Sequence, residues 1–76
     1  MEIDEDKIDD AVLALLHLTL GEDGRAWKDF AWEVMNRLHA KGMIYNPIGK
    51  AKSVGLTEEG LRRSKDLFDH LFAKSK

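Results

Sequence analysis

The chain has 76 residues, a net charge of −2 at pH 7 and no cysteine, so disulfides and thiolate metal sites are excluded. Hydrophobic residues make up 43% of it, which argues against a disordered chain because enough apolar surface exists to offset ordering entropy. No apolar run approaches the ~20 residues of a membrane helix, and the acidic start MEIDEDKIDD is unlike a signal peptide. We therefore expect residues 1–76 to form one soluble cytoplasmic domain with no membrane partner.

Charge is unevenly distributed along the sequence. Residues 1–40 hold ten acidic and four basic residues, whereas residues 41–65 hold six basic and two acidic ones. Such a split can place a basic face on an acidic protein. Charged side chains also cluster by chance on any solvated surface, and the sequence leaves both interpretations open.

The first predicted helix has the clearest pattern in the chain. Asp4 is a suitable N-cap, and Gly21 is a natural terminator. Apolar positions at helical spacing give one stripe: Ile8, Ala11, Val12, Leu15, Leu16 and Thr19. Leu13, Leu18 and Leu20 lie off this stripe, so the helix is predicted to be central in the core or part of a dimer interface.

A second helical face follows the polar turn GEDG and consists of Trp27, Phe30, Ala31, Val34, Met35 and Leu38. One interpretation is a single helix from about Ala26 to Lys41. The other, which we favour, is a short lead-in turn before a main helix that ends at Gly42. Trp27 and Phe30 are expected in the core, whereas Trp32 does not share the buried stripe.

After Gly42 the pattern changes from helical to extended. Residues 43–46 are predicted as a strand, residues 47–52 as a hairpin tip and residues 53–56 as the returning strand. Thr57 is expected to cap a long final helix. The buried face of that helix is predicted to contain Leu61, Ser64, Phe68, Leu71 and Phe72. The fold class is therefore α+β and mostly helical.

Two segments resemble the winged helix-turn-helix class: RLHAKGMI, at the end of the main helix, and VGLTEEGLRRS, which opens the last helix. The resemblance implies a helix, a short turn, a helix, a β-hairpin wing and a long C-terminal helix. Residues 25–30 are the segment left for the second helix of that class. The whole chain also resembles a small bacterial family of unknown function that shares GKAKSV…LTEEGLRRS and the tryptophans at 27 and 32.

The function that we expect is binding of double-stranded DNA, in a regulatory or accessory role. Asn36, Arg37 and Lys41 lie on the polar face of the main helix, and asparagine and arginine can each bind a base edge bidentately. Lys50 and Lys52 in the wing, together with Arg62 on the last helix, are expected to contact phosphate or the minor groove. The resemblance further implies a homodimer formed through the terminal helices.

The alternative function is a protein-binding adaptor or inhibitor that acts without DNA contact. Its aromatic residues would serve as anchors, and its acidic first helix would face a basic partner. Catalysis and a cofactor are not expected, because His17, His39 and His70 lack metal-binding spacing and no Gly-rich phosphate loop is present.

Overall fold

Three helices and one two-stranded antiparallel sheet make up the computed structural model, which describes residues 1–74. The elements are α1 (Glu5–Leu16), a 3₁₀ turn (His17–Thr19), β1 (Arg25–Trp27), α2 (Trp32–Ala40), β2 (Ser53–Gly55) and α3 (Glu58–Phe72). About half of the chain is helical, so the predicted α+β class is confirmed. Within the described residues, no helix is both long and apolar enough to cross a lipid bilayer.

Helix α1 begins as predicted but buries a different face. The Asp4 carboxylate accepts a hydrogen bond from the Lys7 backbone N–H at 3.1 Å, which confirms the N-cap. The fully buried positions include Asp9, Leu13 and Leu16, whereas Ile8 is exposed. Leu16 is buried as predicted, whereas Asp9 and Leu13 are buried off the predicted stripe and Ile8 is exposed on it, so the prediction is wrong at these three positions. The cause is tertiary: α1 packs against both α3 and α2, and α2 pairs with Asp9.

The segment before α2 is a strand rather than a helical lead-in. Strand β1 pairs with β2 in antiparallel register, with Ala26 opposite Val54 and Trp27 opposite Ser53. Because neighbouring strand residues point to opposite faces, Ala26 is buried while Trp27 is 55% exposed. The single helix from Ala26 to Lys41 does not form, and a strand takes the place of the favoured lead-in turn before the separate main helix. The core position predicted for Trp27 was also wrong. Phe30, by contrast, is half-buried against the core.

The predicted hairpin of residues 43–56 forms only at its base. Ile44 makes a single antiparallel bridge to Leu56, and the Tyr45 N–H donates to the Gly55 carbonyl at 2.9 Å. Residues 43–46 are therefore not a regular strand. Strand β2 instead pairs mainly with β1, which lies along the edge of β2 opposite to the edge that faces Ile44. When the Ile44 bridge is counted with the two-stranded sheet, three chain segments lie side by side, and residues 53–56 are in the middle.

The helix ends near the sheet agree closely with the sequence. Helix α2 begins at Trp32 after Ala31, which provides no side-chain cap, and it ends before Gly42, whose φ is +77°. Thr57 caps α3 by accepting the Gly60 N–H at 3.0 Å. The same hydroxyl donates to the Gly42 carbonyl at 2.6 Å. One side chain therefore caps α3 and ties it to the end of α2.

The core lies between the helices and the inner face of the sheet. Its buried members are Leu13, Leu16, Ala26, Val34, Met35, Leu38, Ile44, Val54 and Leu56. On α3 the predicted stripe is buried only in its first half: Ser64 is inaccessible, but Leu71 and Phe72 are nearly half exposed. The C-terminal end of α3 therefore extends beyond the core and carries apolar side chains on the surface.

Candidate nucleic-acid interface

The position of α2 is held by an ion-pair cluster that sequence reasoning missed. Asp9 of α1 is 1% exposed and accepts three hydrogen bonds from the Arg37 guanidinium, at 3.0, 2.9 and 2.8 Å. The Lys41 ammonium donates to Asp9 at 2.8 Å and to Asp6 at 2.9 Å. A buried carboxylate is tolerated when its lone pairs are satisfied in this way. The cluster therefore fixes how α2 is rotated against α1.

The charges of this cluster stabilise one another. Burial acts to raise the pKa of Asp9, but hydrogen bonds from Arg37 and Lys41, with their positive charges, outweigh it and hold that pKa below its usual value. The hydrogen bond to Asp9 raises the pKa of Lys41, and Asp6 adds to the effect. All three groups are therefore charged at neutral pH.

This arrangement gives Arg37 and Lys41 a structural role. Both were expected on a free polar face of the main helix, but both reach back to α1, where Glu5 also contacts Arg37 at 3.1 Å. Their role as DNA ligands stays a prediction. Asp9 could have been recognised from its spacing, because it lies in line with Leu13 and Leu16 on one helical face.

Asn36, Lys50 and Lys52 are exposed, as the sequence predicted. Asn36 lies on the outer face of α2, and both lysines lie in the loop of residues 46–52. Neither lysine forms an ion pair within the described part of the chain. The pair therefore keeps its positive charge available to solvent.

The 46–52 loop is anchored to the segment that leads into α2. The Lys28 ammonium donates to the carbonyls of Pro47 at 2.7 Å and Gly49 at 3.0 Å, and the Lys28 N–H donates to the Lys52 carbonyl at 3.1 Å. Pro47 is buried and holds the first part of the loop to the domain. Because Lys28 lies four residues before α2, these contacts keep the loop beside the start of that helix. Sequence reasoning did not identify Lys28 as an anchor.

Arg62 lies apart from the two loop lysines. It is exposed on the first turns of α3, pairs with Glu59 and borders a shallow depression with Tyr45 and Thr57. Lys52 borders a different depression, beside Trp27. The structure thus brings together the loop lysines and the start of α2, but it does not place Arg62 in the same cluster.

Within residues 1–74, no three His, Asp or Glu side chains are arranged to hold a metal ion. His17 packs against the ring of Phe68 at a centroid distance of 5.2 Å, whereas His39 and His70 are exposed.

The fold and these surfaces define a small α+β domain in which a cationic loop is held beside a helix. The chain belongs to the family DUF6429, a domain of unknown function, which matches residues 4–74. It is similar to the uncharacterized protein y4hR of Sinorhizobium fredii, with 61% identity over 74 residues that cover 97% of this chain and 100% of the relative. No solved structure matches the chain.

Proposed function

We propose that the protein is a non-catalytic domain of the winged-helix type that binds double-stranded DNA. In this proposal α2 enters the major groove, and the 46–52 loop is the wing. The order of α2, the Ile44 bridge, an exposed loop, β2 and α3 supports the winged-helix assignment. The short strand β1 stands where the resemblance implies a second helix, so the helix-turn-helix part is reduced.

The observation that carries the proposal is the anchored loop with two unpaired cations. Lys50 and Lys52 are exposed without an acidic partner among residues 1–74, and Lys28 holds their loop to the segment before α2. Phosphate contacts position a protein on the duplex, and lysine supplies them without base specificity. Asn36 on the exposed face of α2 supplies a group that can read adenine.

The Asp9 cluster supports the same proposal indirectly. A reading helix must be held at a defined angle, since small displacements remove bidentate contacts to bases. Three hydrogen bonds from Arg37 and two from Lys41 fix α2 against α1. In this proposal Arg37 and Lys41 orient the helix, and the loop supplies the phosphate contacts.

The alternative in which an acidic first helix attracts a basic partner has less support. Glu5, Asp6 and Asp9 face Arg37 and Lys41, and Asp10 lies 3.5 Å from Arg63. Asp4 is used as a helix cap. Most of the acidic charge on α1 is thus already balanced within the domain, which weakens its attraction for a partner.

We also propose that two copies associate through the groove between α1 and the end of α3. This groove is mainly apolar and is bordered by Lys7, Asp10, Ala11, Leu67, His70, Leu71 and Phe72. Its rim carries one lysine and one aspartate, so two copies related by a two-fold axis meet without net repulsion. Association would bury Leu71 and Phe72, which are nearly half exposed in the single chain.

Binding of a labelled random duplex at low salt tests the DNA proposal. We expect the double variant Lys50→Glu, Lys52→Glu to lose binding while its thermal stability stays nearly unchanged, because both side chains are exposed. The matched control is Lys65→Glu with Lys74→Glu, which changes the net charge equally on exposed lysines outside both the loop and the apolar groove. For wild type, the logarithm of the association constant should fall linearly with the logarithm of the salt concentration, and the two loop lysines should contribute about two units to that slope. Absence of duplex binding by wild type at ~50 mM salt would contradict the proposal.

A further inference from the structure

The outer face of the sheet is a second surface with a defined composition. Strand alternation turns Ala26, Val54 and Ile44 inward to the core, where all are buried. The neighbouring positions therefore point outward. They are Arg25 and Trp27 on β1, Ser53 and Gly55 on β2, and Tyr45 beside the Ile44 bridge. This set is called the sheet-face platform below.

Planar side chains flank a floor of small residues on this platform. Trp27 is 55% exposed and Tyr45 is 61% exposed. Gly55 lies between Arg25, its partner on β1, and Tyr45, and a Cβ placed there would be 3.0 Å from Cδ2 of Tyr45 and 3.7 Å from Nη1 of Arg25. The Tyr45 ring and the Arg25 guanidinium thus both rest over the glycine. A larger residue at position 55 would displace them.

Arg25 is fixed in place across the two strands. Its Nε donates to the Ser53 hydroxyl at 2.9 Å, and its Nη2 donates to the Ser53 carbonyl at 2.8 Å. The guanidinium therefore extends from Ser53 toward Gly55. A guanidinium fixed by two hydrogen bonds is pre-organised, so it loses little conformational entropy when it binds a ligand.

The depressions beside Trp27 carry a small excess of positive charge, because Arg25, Lys28 and Lys52 border them against Asp23 and Asp29. Lys52 borders the same depressions as Trp27 and adds a second cation to Arg25. The acidic residues nearby are Asp23 and Asp29, which flank β1 at its two ends. One oxygen of the Asp23 carboxylate is already hydrogen-bonded, because Oδ1 accepts the Arg25 backbone N–H at 3.1 Å.

A peptide cannot extend this sheet at β1, because the free edge of that strand is already satisfied. The Arg25 carbonyl accepts the Gly21 N–H at 2.9 Å, and the Trp27 N–H donates to the Thr19 hydroxyl at 2.9 Å. Strand addition requires exposed backbone donors and acceptors along an edge. This edge is therefore closed to strand addition, and a ligand that approaches from this side meets the aromatic rings and cations of the face.

We propose that the sheet-face platform binds single-stranded nucleic acid, with bases stacked on Trp27 and Tyr45 and phosphates held by Arg25 and Lys52. Aromatic side chains bind unpaired bases through their π-faces without strong sequence preference, and a basic groove follows the backbone. A guanidinium plane also serves as a stacking surface. Binding of a single strand goes beyond the proposed binding of duplex DNA, because a base inside a duplex cannot stack on an aromatic side chain of the protein.

Fluorescence anisotropy with a labelled oligothymidylate at low salt tests the inference. We expect the double variant Trp27→Ala, Tyr45→Ala to lose at least ~10-fold in affinity for the single strand. The matched control is Trp32→Ala, which removes a similarly exposed tryptophan at 51% that is outside the platform, and it should change that affinity by less than about twofold. In a Trp32→Phe background, the emission of Trp27 should be quenched by the oligonucleotide.

An NMR titration of the wild-type chain avoids dependence on any variant. Amide signals of residues 25–27, 45 and 53–55 should shift together as oligothymidylate is added. Any of three results overturns the inference. Wild type does not bind oligothymidylate, the double variant binds it with wild-type affinity, or a peptide shifts these amide signals while oligothymidylate does not. Duplex binding that depends on Lys50 and survives the loss of Trp27 and Tyr45 would support the proposed function separately from this inference.

Discussion

Asp9 of α1 and Arg37 of α2 are joined by three hydrogen bonds that link positions 28 residues apart in sequence. The carboxylate is almost completely buried, while Arg37 stays partly open to solvent. Lys41 adds a fourth contact to the same carboxylate. This cluster helps to set which face of α1 is buried, so its removal should lower the free energy of unfolding of the whole domain.

Asp9→Asn should lower the free energy of unfolding by about 1–3 kcal/mol, because the amide removes the charge that balances Arg37 and Lys41. Urea denaturation monitored by circular dichroism measures the change. Asp10→Asn is the control, since Asp10 contacts Arg63 at 3.5 Å on the surface and should contribute less than about 1 kcal/mol. Equal losses in the two variants would show that the cluster has no special role.

Stability should fall on acidification, partly through Asp9. The pKa of Asp9 in the folded protein lies below its unfolded value because Arg37 and Lys41 outweigh the effect of burial. Its contribution is therefore fully present above the unfolded-state pKa of about 4 and is lost as the pH falls through the folded-state pKa. The difference in unfolding free energy between wild type and Asp9→Asn should shrink between ~pH 6 and ~pH 3. A difference that is constant over this range would contradict the assignment.

Gly60→Ala should destabilise the protein even though Gly60 lies in the first turn of α3. Helix propensity alone would favour alanine by about 1 kcal/mol. A Cβ at this position would lie 1.8 Å from the Met43 carbonyl oxygen, so backbone must move, and we expect a loss of about 2–4 kcal/mol. Gly21→Ala is the control, because its closest atom is a movable carboxylate oxygen of Asp23. Thermal unfolding of both variants measures the effect, and a stabilised Gly60→Ala would show that α3 packs farther from Met43.

Two neighbouring leucines of α1 should differ in their effect on stability. Leu16 is fully buried, so Leu16→Ala should cost about 2–5 kcal/mol, enough to unfold much of a domain this small. Leu15 is only half-buried, so Leu15→Ala should cost about 1–2 kcal/mol. Urea denaturation of the two variants gives the comparison. The reverse order would show that Leu15, rather than Leu16, is the more deeply buried of the two.

Leu71→Glu should prevent association of two copies, because it places a charge in the apolar groove between α1 and α3. Sedimentation velocity over a range of concentrations should show wild type rising above the 8.7 kDa monomer mass, while Leu71→Glu stays at it. Leu18→Glu is the control, since Leu18 is exposed in the 3₁₀ turn and does not border that groove. A wild type that remains monomeric throughout would contradict the dimer.

Local chemistry determined the helix ends of this protein. Asp4 and Thr57 cap α1 and α3 because their short side chains reach backbone N–H groups within the same turn, and Gly42 ends α2 because it adopts a positive φ. These features depend on residues only a few positions apart, so a single sequence reveals them. The α+β class and the single-domain size followed from the same kind of pattern.

Only the tertiary structure decided that residues 25–27 form a strand and that α1 buries Asp9. The helical spacing of Trp27 with Phe30 and Val34 was real, but pairing with residues 53–55 satisfied the backbone and buried Ala26 instead. Likewise, an aspartate is expected on the surface until a distant arginine and lysine are placed beside it. Both outcomes depend on partners 26 or more residues away in sequence, and such contacts are set by tertiary packing rather than by local propensity.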